Sequence, residues 1–147
     1  MERHSTFNFN KQILFGELGA LISTPLISFI VSRFTSTPNI ISSFAVGGAI
    51  FGACVFWLLM RVYDEKTTKG IPVKHIASDI SYFTPGAFAL AMLVYYPSLY
   101  LGSKYLLVGD YGVLSSVILS QAIAFSLFLI AVNIYRYFIW KYFGKKL

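Results

Sequence analysis

Charge is scarce in this chain. Only 12% of its 147 residues are Asp, Glu, Lys or Arg, whereas a soluble domain carries about 25%. Acids are scarcer still, with six Asp and Glu against twelve Lys and Arg. Cysteine occurs once, as Cys54, which excludes an intramolecular disulfide; a lone thiol amid apolar residues is inert by default. The two histidines, His4 and His75, have no partner at metal spacing, so neither a metal nor another cofactor is expected. Nucleophile elbow, phosphate-binding glycine loop and paired catalytic carboxylates are all missing. A Glu17–Asp79 pair would need distant parts of the chain to face each other. Enzymatic chemistry is therefore not expected.

What fills the chain instead is apolar sequence. Hydrophobic residues make up 56% and the mean hydropathy is +0.68. They are contiguous, in runs of the roughly 20 residues that a bilayer crossing requires. Four runs stand out, about 13–32, 40–62, 80–101 and 113–135. The expected fold is all-α: a single four-helix transmembrane domain over residues 1–147, built as two helical hairpins in tandem. The first run is about twenty residues long, carries Glu17 and has no small-x-small cleavage site after it. It reads as a permanent helix rather than a secretory signal.

Orientation follows from where the bases lie. The N-terminal arm has Arg3 and Lys11. The second connector has Arg61, Lys66, Lys69 and Lys74, and the tail has Arg136, Lys141, Lys145 and Lys146. The first and third connectors carry only Arg33 and Lys104. Both termini and the second connector are expected in the cytoplasm of a cell with this protein in its cell membrane. The bases are thereby explained without nucleic acid, which is not an expected partner. Membrane lipids are, since juxtamembrane bases attract anionic head groups at about 1 kcal/mol each. Tyr135, Tyr137, Phe138, Trp140, Tyr142 and Phe143 form an interfacial aromatic belt, with the last helix continuing to about Phe143.

The two hairpins share an order of features. Lys11-Gln-Ile precedes Glu17 and Pro25, and Lys74-His-Ile precedes Asp79 and Pro85. Ser32-Arg33 is matched by Ser103-Lys104, Ser42-Ser43 by Ser115-Ser116, and Arg61 by Arg136. This order predicts duplication of one hairpin, giving a parallel repeat about an axis along the membrane normal.

Polar residues inside the runs are the candidate functional groups. Glu17, Thr24 and Ser28 fall on one helical face. Glu17 stands about one turn inside the apolar core, where an ionised carboxylate must be paired, protonated or wet; Lys11, Arg61 and Arg136 are the candidate partners. Asp79 reads as a first-turn acid stabilised by the helix dipole. Ser23-Thr24-Pro25 predicts a kink, and Thr84-Pro85-Gly86 predicts a break in the third helix, which has a second proline, Pro97, near its outer end. In the second helix Ala45, Ala49 and Ala53 recur every fourth residue beside Gly48 and Gly52, a close-packing seam whose partner lies either in this chain or in a second copy. In the fourth helix Ser115, Ala122, Ser126 and Asn133 form a stripe, with Gln121 a little off it, suited to bonding across a helix interface. Lys11, Arg61, Lys74 and Arg136 are expected at the cytoplasmic mouth, where bases suit a lipid phosphate.

These residues resemble the GtrA family of small four-helix membrane proteins. The likeness rests on the helix count and length, on Gly16 and Gly19 within Leu14-Phe-Gly-Glu-Leu-Gly-Ala20, and on the ending Ala131-Val-Asn-Ile-Tyr-Arg-Tyr-Phe138. The second helix keeps Arg61 and Tyr63 but lacks the matching asparagine, and Asp64-Glu65 departs from the pattern. The resemblance implies binding or translocation of a polyprenyl-phosphate-linked sugar for cell-surface polysaccharide synthesis. Asn133, Arg136 and Arg61 would then hold the phosphate and Glu17 would bond a sugar hydroxyl. Two other readings fit the residues. One is a non-catalytic accessory subunit of a larger membrane complex. The other is a homodimeric channel or ion-coupled exporter with Glu17 as the proton or cation site.

Overall fold

A computed structural model describes the backbone of residues 2–67 and 84–143, and the side chains of residues 13–60, 63, 86–135, 137–138 and 141–142. Every regular element among them is helical. Helix α1 spans Glu2–Ser32 and α2 spans Pro38–Thr67. Then come α3 (Thr84–Leu90), a π-helical turn (Ala91–Tyr95) and α4 (Tyr96–Val108), one behind the other, and finally α5 (Val113–Phe143). Four stretches are long and apolar enough to cross a bilayer: Ile13–Ser32, Pro38–Met60, Gly86–Val108 and Val113–Tyr135. The chain is thus an all-helical protein with four candidate membrane spans.

The connectors are short because both helix ends are closed locally. At the end of α1, the N–H groups of Arg33 and Phe34 bond back to the carbonyls of Ile30 and Val31. Pro38 then opens α2 at a position whose N–H needs no helical partner, and the Thr37 carbonyl takes the first helical bonds, from Ile40 and Ile41. At the end of α4, Tyr111 N–H bonds the Leu106 carbonyl and Asp110 N–H bonds that of Leu107. This is a Schellman closure, with Asp110 at φ 60° supplying the left-handed residue. Glycine usually holds that place; aspartate is among the few other residues that tolerate it.

Packing is closest between α1 and α2, where small residues let the two backbones meet. A Cβ added to Gly19 would overlap the Gly52 carbonyl, and one added to Gly52 would overlap Ser23 Oγ and the Gly19 backbone. Gly48 lies against Ser23 and Thr24, and Gly16 faces the Ala53 carbonyl at 3.7 Å. The partner of the Gly48/Gly52 row is therefore α1 of the same chain. Ala45 and Ala49, fully buried, turn to the common core, which joins Ala20, Ala49, Tyr95, Leu99 and Ala124, with Ala53 packed against it. Ser23 Oγ lies 2.8 Å from the Gly19 carbonyl and 2.6 Å from that of Gly48, so one hydroxyl links the two helices at the seam. Helix α4 packs along α5, with Gly102 tight against Ser120.

One sequence expectation changes. The third span does not end near Leu101 but continues to Val108. Gly102-Ser103-Lys104 reads as a connector only until its surroundings are known: Gly102 packs on Ser120, and Ser103 is fully buried with its hydroxyl on the Tyr100 carbonyl at 3.1 Å. Ahead of Pro97 the helix widens. Proline offers no N–H and crowds the carbonyl four residues back; just before it the chain runs through the π turn, where Tyr96 N–H reaches the Ala91 carbonyl. Pro25 sits within a continuous α1.

Candidate functional site

The site begins with the buried faces of the spans. On α1 these are Gly16, Glu17, Gly19, Ala20, Thr24 and Ser28; on α5 they are Ser116, Val117, Ser120, Gln121, Ala124 and Val132. The third span contributes Tyr95, Leu99 and Ser103, each about one helical turn from the next. The π turn matters here. It ends at Tyr95, and an extra residue per turn re-aims the side chain that follows.

Three polar groups from three helices meet inside the bundle. Tyr95 donates its O–H to Glu17 Oε1 at 3.2 Å. The Gln121 amide donates to Glu17 Oε1 and to Tyr95 Oη, at 3.3 Å each. Glu17 keeps 8% of its surface exposed, Tyr95 5% and Gln121 none. The Tyr95 ring is fixed edge-on between Tyr96 and Phe128, with centroids 5.3 and 5.9 Å away. In a low-dielectric interior each such bond is stronger than in water, and each missing partner is costlier. Glu17 is thus neither a surface carboxylate nor, among the described residues, paired with a cation: both its partners are neutral.

An apolar groove on the outer surface runs past Glu17. It lies between α1 and α5, is lined by Leu14, Phe15, Leu18, Leu21 and Phe125 together with Glu17, and has a volume of about 350 Å³. Leu14 and Leu18 are about half exposed, at 50% and 48%. The groove offers hydrocarbon contact along its walls, while the Glu17 carboxyl is bonded inward to Tyr95 and Gln121.

The other sequence candidates are distributed as follows. Thr24 and Ser28 are fully buried on the Glu17 face of α1. Asn133 is exposed, and its amide donates to the Leu129 carbonyl of its own helix at 2.8 Å. A second shallow groove of about 460 Å³ passes over Asn133, between Leu129, Ile130, Ile134 and Tyr137. The side chains of Lys11, Arg61 and Arg136, and Lys74 and Asp79 entirely, lie outside the described residues, so the expected phosphate cluster is not seen assembled. Among the described residues no group of His, Cys, Asp and Glu is placed to hold a metal ion.

The stripe expected on the fourth span is the wrong one. Ser115, Ala122, Ser126 and Asn133 are exposed. Ser126 bonds the Ala122 carbonyl at 2.9 Å, so a serine here satisfies itself at no cost to the helix ladder. The buried face lies beside that stripe and carries Gln121. Tyr95 was not singled out in the sequence at all. Tyrosine at a mid-span position reads as bulk, and only its distance from either end of an apolar run hints that its O–H needs a buried partner.

No known protein family, curated protein or solved structure matches this chain.

Proposed function

We propose that this is a GtrA-like integral membrane protein, two tandem hairpins with both termini in the cytoplasm, that binds a polyprenyl-phosphate-linked sugar and carries its head group across the bilayer. No covalent step is involved. The observation that carries the reading is the junction of two surfaces at one residue. The stem of Glu17 lines an apolar outer groove, and its carboxyl lies just behind that wall, held by Tyr95 and Gln121. A lipid-linked glycan has matching parts: a hydrocarbon chain for Leu14, Leu18 and Leu21, and hydroxyls that donate to a carboxylate. Arg61, Arg136, Lys11 and Lys74 supply positive charge for the phosphate near the same membrane face.

The tandem hairpins gain support from burial at a constant spacing in sequence. Ala20, Ala45 and Ala49 of the first half correspond to Tyr95, Ser120 and Ala124 of the second, and all six are buried. At this spacing Ser103 pairs with Ser28 and not, as the order of features had it, with Ser32, while Arg61 still pairs with Arg136.

A flipping assay with the purified chain in vesicles tests the function. Polyprenyl-phosphate sugar is expected to reorient faster than in empty vesicles, and Glu17→Gln to lose most of the gain. A rate equal to that of empty vesicles would overturn the reading. Stable co-migration with a larger enzyme at fixed stoichiometry, at native expression level, would favour the accessory-subunit reading in its place.

A further inference from the structure

A column of buried hydroxyls leads to Glu17 from one end of the bundle. Ser28, Ser42, Ser103 and Ser116, one from each span, are all fully buried, and each lies about one turn from the connector that joins its helix to the next. If the spans cross in chain order, the connectors 33–37 and 109–112 share one membrane face, and the four serines share its depth. Thr24 and Ser120, also buried, stand one turn deeper on α1 and α5. Beyond them lie Gln121, Tyr95 and Glu17.

Three of these six hydroxyls, those of Ser103, Ser116 and Ser120, are spent on nearby carbonyls; the other three are not. A serine in an apolar helix normally returns its proton to the carbonyl four residues back, as Ser120 does to Ser116 at 2.6 Å. Thr24 Oγ1, Ser28 Oγ, Ser42 Oγ and Gln121 Oε1 are buried without a hydrogen-bond partner. Four such groups in one region are costly to leave unmade, and together they call for a small species that both donates and accepts. Hydroxyls one turn apart, Thr24 with Ser28 and Ser116 with Ser120, are separated by about 5.4 Å, too far for a direct bond and suited to a single bridging water. Thr24 and Glu17, seven residues apart on α1 with Ala20 between them, are separated by about 10 Å, and that step needs more than one water.

We propose that this column is a proton path from the connector face to Glu17, and that Glu17, Tyr95 and Gln121 form a proton-binding site at its end. The proton comes from hydronium in the aqueous phase at that face. Each water or hydroxyl on the way accepts one proton and releases another, and the Glu17 carboxylate gains an O–H bond. Nothing is oxidised or reduced. The titratable neighbours of Glu17 are Tyr95 and Tyr96 of the third span. Cys54 of α2 interacts with Tyr96, and α5 contributes the neutral Gln121. Among the described residues the site is therefore one carboxyl among neutral donors, with no ion pair to break when its charge changes.

The test is infrared difference spectroscopy of the full chain in lipid vesicles, between acid and alkaline buffer. Among the carboxyl C=O bands that rise in acid, one is expected in the wild type and missing in Glu17→Gln, whose amide keeps the shape of the site. After a jump into D2O the band should shift by deuteration. Thr24→Val and Ser42→Ala should slow that shift by about tenfold or more, while Ser126→Ala, on the exposed stripe, should leave it unchanged. Helical circular dichroism and melting of each variant establish folding. Absence of a Glu17-dependent band, or equally fast deuteration in both column variants, would overturn the proposal. So would a band that follows sodium at fixed pH. The measurement needs no glycan, so its failure and that of the flipping assay are separate results.

Discussion

At the scale of single residues, polar and steric effects differ in size, and the site separates them. Tyr95→Phe removes the donor to Glu17 and leaves the Gln121 amide on the carboxylate. Interhelical hydrogen bonds in membrane proteins contribute about 0.6 kcal/mol on average and rarely more than about 1.7, so a loss near 1 kcal/mol is expected. Gly52→Ala should cost more, about 1–3 kcal/mol, because the new methyl overlaps Ser23 and the Gly19 backbone, and backbone cannot step aside. Gly47→Ala, with nothing within 4 Å of the added carbon, is the neutral control. Unfolding of the three variants in detergent should rank Gly52→Ala below Tyr95→Phe, and Tyr95→Phe below Gly47→Ala. A Gly52→Ala protein as stable as Gly47→Ala would mean the seam is looser than described. Asp110, at φ 60°, gives the opposite sign. A left-handed L-residue costs about 1–2 kcal/mol, so Asp110→Gly should raise the melting temperature and Asp110→Val should lower it.

Elements depend on what the residues cannot do. Pro97 cannot donate to the carbonyl of Leu93, and the chain meets that with the π turn that ends on Tyr95. Pro97→Ala restores the N–H and permits a plain α-helix, in which Tyr95 and Ser103 together would turn by about 100° relative to α3, moving Tyr95 off Glu17 if α3 keeps its place on α5. The coupling between Tyr95→Phe and Glu17→Gln in a double-mutant cycle should then fall towards zero. Coupling unchanged in the Pro97→Ala background would show that packing against Phe128, not proline, holds the turn. The same element marks what could be read in advance. The first and fourth spans were legible at both ends because apolar runs stop there at Ser32-Arg33 and at Val113 after the Gly-Asp-Tyr-Gly connector. The third was not, since Gly102-Ser103-Lys104 looks like a connector until Ser120 is found opposite Gly102. Thr24 and Ser28 were legible by spacing, and so was the seam through Gly48 and Gly52. Gln121 was misjudged by one helical position, because hydroxyls that bond their own helix, such as Ser126, are as polar in sequence as those that face the core.

For the whole molecule, the controlling question is which face of the membrane each connector occupies. Topology follows the charge bias, so single cysteines in a Cys54→Ser background should sort into two sets. Ser36→Cys and Tyr111→Cys should react with a membrane-impermeant thiol reagent from outside intact cells, and Thr68→Cys only after permeabilisation. Labelling of position 68 alone from outside would invert the arrangement and place the serine ring in the cytoplasmic leaflet. The uneven packing of α1 has a mechanical consequence. On one flank its backbone touches α2 through Gly19 and Gly52, with the Ser23 hydroxyl bonded across and Phe56 packed alongside, which leaves little there to rearrange. On the other flank, toward α5, leucines and Phe125 stand apart and can swing through rotamers at little cost. If the protein opens at all, the first two helices must move as one stiff blade, hinged away from α5, and a cross-link between α1 and α5 would stop it while one between α1 and α2 would not.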